Sequence, residues 1–192
     1  MNGKMHGRPV SPEVPKSPEG TFSLIMADPP WPTYGEALKH YPQMRVEDMA
    51  KIPVADWAAP DSMLMIWTLN WRMKWALDLI DAWGFSYRTV GLVWVKTDKS
   101  GTKVLSGRGF YTRQSTEMCL LATRGSPIKT DTPGALTATA EQVIISAPRG
   151  RHSEKPDEAY LAAEQMVAGR RLEMFCRMPR EGWSSWGNEA SL

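Results

Sequence analysis

The sequence predicts an α/β fold with a mainly parallel sheet, and three observations predict it. Short apolar runs of strand length alternate with stretches whose apolar residues recur at helical spacing. The first run, Leu24-Ile25-Met26-Ala27, stops abruptly at Asp28-Pro29-Pro30-Trp31, where neither strand nor helix can continue. In open α/β sheets, ligands sit at such carboxyl ends of strands. At 192 residues, with 42% hydrophobic and 23% charged residues, the chain has the size and composition of one globular domain. No internal repeat or second domain is visible.

Residues 1–20 carry Pro9, Pro12, Pro15 and Pro18 among polar residues, so they read as a flexible, proline-rich N-terminal arm, with the folded domain spanning 21–192. The first strand runs from about Phe22 to Met26 and delivers Asp28. His40-Tyr41-Pro42-Gln43-Met44 then leads into a short helical stretch near Val46 to Ala50, ended by Pro53. Ser62 to Trp67 is a second buried strand. Thr68 or Asn70 caps a helix with apolar residues at Met73, Ala76, Leu77, Ile80 and Trp83, stopped by Gly84. Phe85 to Val95 is strand-like, rich in valine and aromatic residues.

From Lys96 to Arg113 the chain turns polar and basic, with Lys96, Lys99, Lys103, Arg108 and Arg113 against the single Asp98. This loop is either a nucleic-acid contact or a solvated hairpin tip. Met118 to Thr123 is a further strand, residues 126–139 a loop, and Val143 to Ser146 a brief strand. A helix follows from about Pro156 to Ala168, terminated by Gly169. Lys155 stands at its start, facing the positive end of the helix dipole, and so either meets an anionic ligand there or swings into solvent. Arg171 to Arg177 is the last clear strand, and the stretch from Gly182 to Glu189 reads as a loop folded over the sheet.

Composition bounds the function classes. A formal net charge of +2 permits a nucleic-acid partner without requiring one. No apolar run has the length of a membrane span and the polar N-terminus lacks a signal segment, so the expectation is a cytoplasmic protein without a membrane partner. Cys119 and Cys176 lie within apolar runs and read as small buried side chains, and three scattered histidines form no metal constellation. Nine tryptophans exceed ordinary usage, and their flat faces suit a planar ligand as well as a core.

Asp28-Pro29-Pro30-Trp31 forms a chemically coherent set for modifying an exocyclic amine. Asp28 can accept one amine proton, the Pro29 carbonyl can accept the other, and the two rings fix the backbone that carries them. Trp31 offers a face on which a base can stack. The same four residues also describe a strand leaving a sheet, with Trp31 folding back to plug the core.

Taken in order, DPPW, HYPQM, IWTLN, WVK, EMCLLATRG, HSEKPDEAY, RLEMFCR and GW followed by WGNE resemble the MT-A70 family of adenine-N6 methyltransferases. The resemblance runs from Phe22 to Glu189. It implies a Rossmann-like, S-adenosylmethionine-dependent methyltransferase fold in permuted order, with the DPPW strand first and the cofactor strand last. By motif, Asp28, Pro29, Pro30 and Trp31 correspond to the catalytic turn. Lys155 corresponds to a partner of the methionine carboxylate, Glu173, Phe175 and Arg177 to adenosine-side contacts, and Asn188 with Glu189 to ribose contacts. Tyr41, Asn70, Lys96, Arg108 and Arg113 are the candidate substrate contacts. Pro179-Arg180 departs from the His-Asn pair found at this point in some relatives.

The expected reaction is methyl transfer to the N6 amine of adenine in nucleic acid, DNA in preference to RNA, on a single-stranded or flipped-out base. A monomer or a homo- or heterodimer is compatible with this. The rivals are amino methylation of cytosine, a catalytically silent or partner-dependent nucleic-acid-binding subunit, and a binding module without cofactor.

Overall fold

A computed structural model describes residues 15–32, 43–107, 109, 111–127, 144–150 and 154–187. Seven strands form one mixed sheet: β1 (Phe22–Ala27), β2 (Ala58–Thr68), β3 (Ser86–Thr97), β4 (Thr116–Arg124), β5 (Ile144–Pro148), β6 (Arg171–Met174) and β7 (Ser184–Trp186). Their spatial order is β5-β3-β4-β2-β1-β6-β7. Among the described residues, four α-helices accompany the sheet: α1 (Val46–Met49), α2 (Val54–Trp57), α3 (Met73–Ala82) and α4 (Asp157–Met166).

The alternation of strand and helix thus yields the α/β sheet that the sequence predicts, with one reversal. β1 runs parallel to β2 and β6, β6 to β7, and β3 to β5, whereas β4 is antiparallel to both β2 and β3. Six strands therefore end on one rim of the sheet, and β4 begins there. That rim collects Asp28 after β1, Phe175 after β6, Lys96 near the end of β3, and the Thr116-Glu117 start of β4.

The two-residue period of the strands separates the faces. Ile25, Ala27, Leu64 and Ile66 point to one side, where Ala76, Leu79, Ile80 and Trp83 from α3 and its turn complete a core. Leu24, Met26, Met63, Met65 and Trp67 point to the other, against Ala159, Tyr160 and Ala163 of α4. By the same alternation, Asp28, Lys96, Glu117 and Glu173 belong to the α4 side.

Several boundaries differ from expectation for local reasons. α3 has neither Thr68 nor Asn70 as its cap: a 3-10 turn over Asn70–Arg72 precedes it, and Arg72 is the N-cap without a side-chain cap bond. Pro53 does not only end α1; it also opens the additional short helix α2. β6 stops at Met174 because Phe175 adopts φ of 61°, a left-handed conformation costly for a bulky side chain. The stretch expected as a covering loop instead contributes β7, a short edge strand beside β6. Gly84 ends α3 with φ of 78°, as its position predicts, whereas α4 stops at Met166 because Val167 is already extended, two residues ahead of Gly169.

Candidate active site

The turn after β1 is held from several sides. Trp31 is buried, and its indole Nε1 donates to the Trp67 carbonyl over 3.1 Å. The Met44 amide donates to the Pro30 carbonyl at 3.1 Å, and Arg72 Nη2 to the Pro32 carbonyl at 2.7 Å. Of the two readings of Trp31, the geometry is that of the core plug: with 4% of its surface exposed, the ring offers no open stacking face. Its burial instead fixes the backbone carrying Asp28 and Pro29. The Pro29 carbonyl accepts from the Trp31 amide at 2.8 Å, which leaves it a second lone pair.

Asp28 belongs to a chain of four alternating charges. Lys155 Nζ lies 2.6 Å from Asp28 Oδ2 and 3.3 Å from Glu117 Oε2, and Lys96 Nζ lies 2.5 Å from Glu117 Oε1. Lys155 is 7% exposed, which excludes the solvent-facing reading. The anion that its position ahead of α4 demands is supplied by the protein's own carboxylates. Burial alone pushes the Glu117 carboxyl up, but the ammonium charges of Lys155 and Lys96 outweigh it and hold the group down at about 2. Burial likewise works against the Lys155 ammonium, and the charges of Asp28 and Glu117 outweigh it, keeping the group above the ordinary lysine range.

Sequence reasoning missed Glu117. The signal available was a carboxylate directly preceding an apolar run, but its placement depends on the reversal of β4. With β4 antiparallel to β3, Glu117 pairs with Trp94 in register and arrives on the rim that the other strands reach with their carboxyl ends.

A third carboxylate sits toward the β6 side of the same rim. Glu173 Oε1 accepts from the Tyr160 hydroxyl at 2.6 Å, and Oε2 accepts from the Cys176 thiol at 3.6 Å. The Arg180 guanidinium lies 3.8 Å over the Tyr160 ring and pairs with Asp157 at 2.6 Å. Burial pushes Glu173 up, and the Tyr160 and Cys176 donors only partly counter it. Arg180 thus occupies this turn with a cation–π contact onto the residue that holds Glu173.

Phe175 does not share the Glu173 face. Its left-handed backbone breaks the strand alternation and sends its ring to Trp186, 5.5 Å away, on the α1–α3 side. Gly187 approaches the same turn so closely that a Cβ there would stand 2.6 Å from the Cys176 carbonyl oxygen. Arg177 is half-buried at the end of this turn.

Among the candidate substrate contacts, Asn70 Nδ2 donates to Thr116 Oγ1 at 3.2 Å, beside Glu117. Lys96 is engaged with Glu117. Arg113 is exposed beside the Gly107–Gln114 bridge, and in the preceding turn, closed by the Thr97–Val104 bridge, the Asp98 carboxylate accepts from the Thr102 and Lys103 amides. The structure thus brings Asp28, Lys155, Lys96 and Asn70 to one rim and leaves Arg113 beside that bridge. Tyr41, Arg108, Asn188 and Glu189 lie outside the described residues, as does Val143.

Comparison with known proteins decides the family. Residues 22–189 match the MT-A70 family. The chain belongs to the MT-A70 family of adenine N6-methyltransferases. It is 28% identical to the Type II methyltransferase M.MunI of Mycoplasma sp over 206 aligned residues, covering 94% of this chain and 83% of that protein. It is 31% identical to the Arabidopsis thaliana N(6)-adenosine-methyltransferase MT-A70-like, and 30% identical to the human N(6)-adenosine-methyltransferase catalytic subunit METTL3. These two matches each cover 88% of this chain, but only 24% and 28% of those proteins, so the chain spans about a quarter of their length.

MT-A70 methyltransferases use S-adenosylmethionine. The donor set on the rim has chemistry that fits this molecule: the Lys155 ammonium suits a carboxylate, and two of the three rim carboxylates, Asp28 and Glu173, suit an ammonium and hydroxyl groups.

Proposed function

We propose that this MT-A70 chain transfers a methyl group from S-adenosylmethionine to the N6 amine of adenine in a polynucleotide, DNA in preference to RNA. The observation that carries the reading is Asp28 with the adjoining Pro29 carbonyl, two acceptors on a turn clamped by Trp31, Pro30 and Pro32. The DNA preference is supported by the likeness to M.MunI, a Type II methyltransferase, over 94% of this chain.

The N6 lone pair is delocalised into the adenine ring, so the amine is a poor nucleophile until it pyramidalises. Asp28 and the Pro29 carbonyl accept its two protons and favour that geometry as positive charge develops, so they act mainly in the transition state. The bound cofactor supplies the electrophilic methyl group on its sulfonium. As the N–CH3 bond forms and the S–CH3 bond breaks, one N6 proton leaves along the Asp28 hydrogen bond toward solvent. Lys155 would hold the methionine carboxylate while remaining paired with Asp28. Glu173 would orient the adenosine side, and Asn188 and Glu189 would take the ribose hydroxyls. The amine is concealed in a duplex, so the acceptor is a single-stranded or extruded base.

The test is transfer from methyl-labelled S-adenosylmethionine to matched single-stranded DNA, duplex DNA and RNA, followed by nucleoside digestion and mass analysis. Label in N6-methyladenine from DNA is expected, with a fall of about 10²–10³-fold in kcat for Asp28→Ala at unchanged fold. Label in methylcytosine, transfer to RNA alone, or full turnover by Asp28→Ala would overturn the corresponding part. Cofactor binding without transfer to any polymer would favour a partner-dependent subunit.

A further inference from the structure

The burial of Trp31 leaves the acceptor turn without the base-stacking surface that its sequence suggests. Another tryptophan stands on the same rim. Ala27 of β1 is in register with Ile66 of β2, so Asp28 leaves β1 level with Trp67, and β2 ends one residue later at Thr68. The 3-10 turn Asn70–Arg72 is the first structure after β2. It is bound to the acceptor turn by Arg72 Nη2, 2.7 Å from the Pro32 carbonyl, and to the start of β4 by Asn70 Nδ2, 3.2 Å from Thr116 Oγ1. It therefore bridges the turn carrying Asp28 and the strand carrying Glu117.

Within this bridge, Trp71 is 42% exposed whereas Arg72 is 8% exposed. The Arg72 guanidinium lies 3.8 Å from the Trp71 ring centroid and 3.5 Å from that of Trp75. The guanidinium is thus shared between two indoles, and one edge of the stack opens to solvent. A cation against one ring holds the indole in place, so little side-chain freedom is lost when a second planar group arrives.

We infer that Trp71 is a stacking platform for a nucleobase flanking the target adenine, the second point at which the polynucleotide is held beside Asp28. The inference rests on the methyltransferase reading above. A nucleobase is the favoured occupant because every base has a π face, the platform is fixed to the acceptor turn itself, and the buried cation beneath the ring complements an electron-rich partner. An adenine drawn out of a strand loses its own stacking neighbours, and a platform for the adjoining base compensates for part of that loss.

The experiment compares wild type, Trp71→Ala and Trp71→Phe on single-stranded oligonucleotides with one adenine, in which the 5′ or the 3′ neighbour is either a nucleotide or an abasic residue. Methyl transfer gives KM and kcat, anisotropy of a labelled oligonucleotide gives binding without turnover, and sedimentation reports assembly. Trp71→Ala is expected to raise KM and Kd for the intact oligonucleotide by about ten- to a hundredfold, with kcat and S-adenosylmethionine affinity close to wild type. Trp71→Phe should recover most of the loss. Removing the base at the contacted neighbour should weaken wild type by a similar factor and leave Trp71→Ala unaffected.

Unchanged oligonucleotide affinity in Trp71→Ala, or equal losses from both abasic residues in wild type and variant, would overturn the inference. So would a loss accompanied by a change in sedimentation, which would make Trp71 part of a protein interface. If wild type transfers no methyl group to any polymer, the functional reading fails, and the anisotropy series still decides the role of Trp71.

Discussion

Glu117 and Glu173 are both carboxylates on one rim and one face of the sheet, yet their surroundings push them in opposite directions. Glu117 lies between two ammonium groups and is held at about 2 despite its burial. Glu173 is held by a phenol and a thiol, and burial raises it. Both are hydrogen-bonded, so counting donors does not separate them. What separates them is the charge of the donor: a cation within ion-pair distance outweighs desolvation, whereas neutral donors do not. The β1–β4 half of the rim is therefore an ionic lattice around Asp28, and the β6 half a largely neutral cradle.

The sharpest way to break this contrast is to remove the cation at its centre. Lys155→Met keeps most of the side-chain volume but leaves Asp28 and Glu117 on the rim without the ammonium between them. Truncating one member of a buried pair costs more than the pair contributes, because the remaining charge is left uncompensated. A loss of about 3 kcal/mol in urea unfolding is expected, together with a rise in the Glu117 carboxyl. A loss below about 1 kcal/mol, the range of exposed pairs, would mean that water already solvates these carboxylates.

The pH dependence of stability should carry both signs. The folded Glu117 value of about 2 lies below its ordinary 4.5, so between these values the unfolded chain binds a proton that the folded chain does not. Its contribution is complete above 4.5 and lost as pH falls toward 2, on the order of 3 kcal/mol in total. Glu173 behaves inversely. Its folded value is raised above 4.5, so its contribution is present below 4.5 and declines as pH rises through the folded value. Thermal unfolding from about pH 2.5 to about pH 7 should show Glu117→Gln flattening the acid limb and Glu173→Gln flattening the decline above it. The same effect from both variants would remove the distinction.

Local signals carried the sequence reading of this rim a long way, and its gaps share one cause. An apolar run closed by two prolines locates the end of β1, a glycine marks the end of α3, and the position of Lys155 announces an anion. Each of these is a local property. An apolar run reads the same in either strand direction, so the reversal of β4 is silent in sequence, and the role of Glu117 is silent with it. Trp31 can stack on a ligand or plug a core, and only the Trp67 carbonyl, 36 residues away, decides for the plug. Ser184–Trp186 is too short and polar to announce a strand, and becomes one because β6 offers an unpaired edge.

The neutral half offers the smallest and most discriminating perturbation. Tyr160→Phe removes a single hydroxyl, the donor to Glu173 Oε1 at 2.6 Å, and keeps the ring under the Arg180 guanidinium. The cation–π contact survives on a phenyl face, so the helix α4 packing changes little. Glu173 loses one of its two neutral donors and its carboxyl rises further, which steepens the decline of stability with rising pH. A cost of about 1–2 kcal/mol in urea unfolding is expected, the range for a hydrogen bond to a charged or partly charged acceptor. The decisive outcome is its ratio to Lys155→Met. If the phenol costs as much as the ammonium, the charge of the donor does not separate the two halves of the rim.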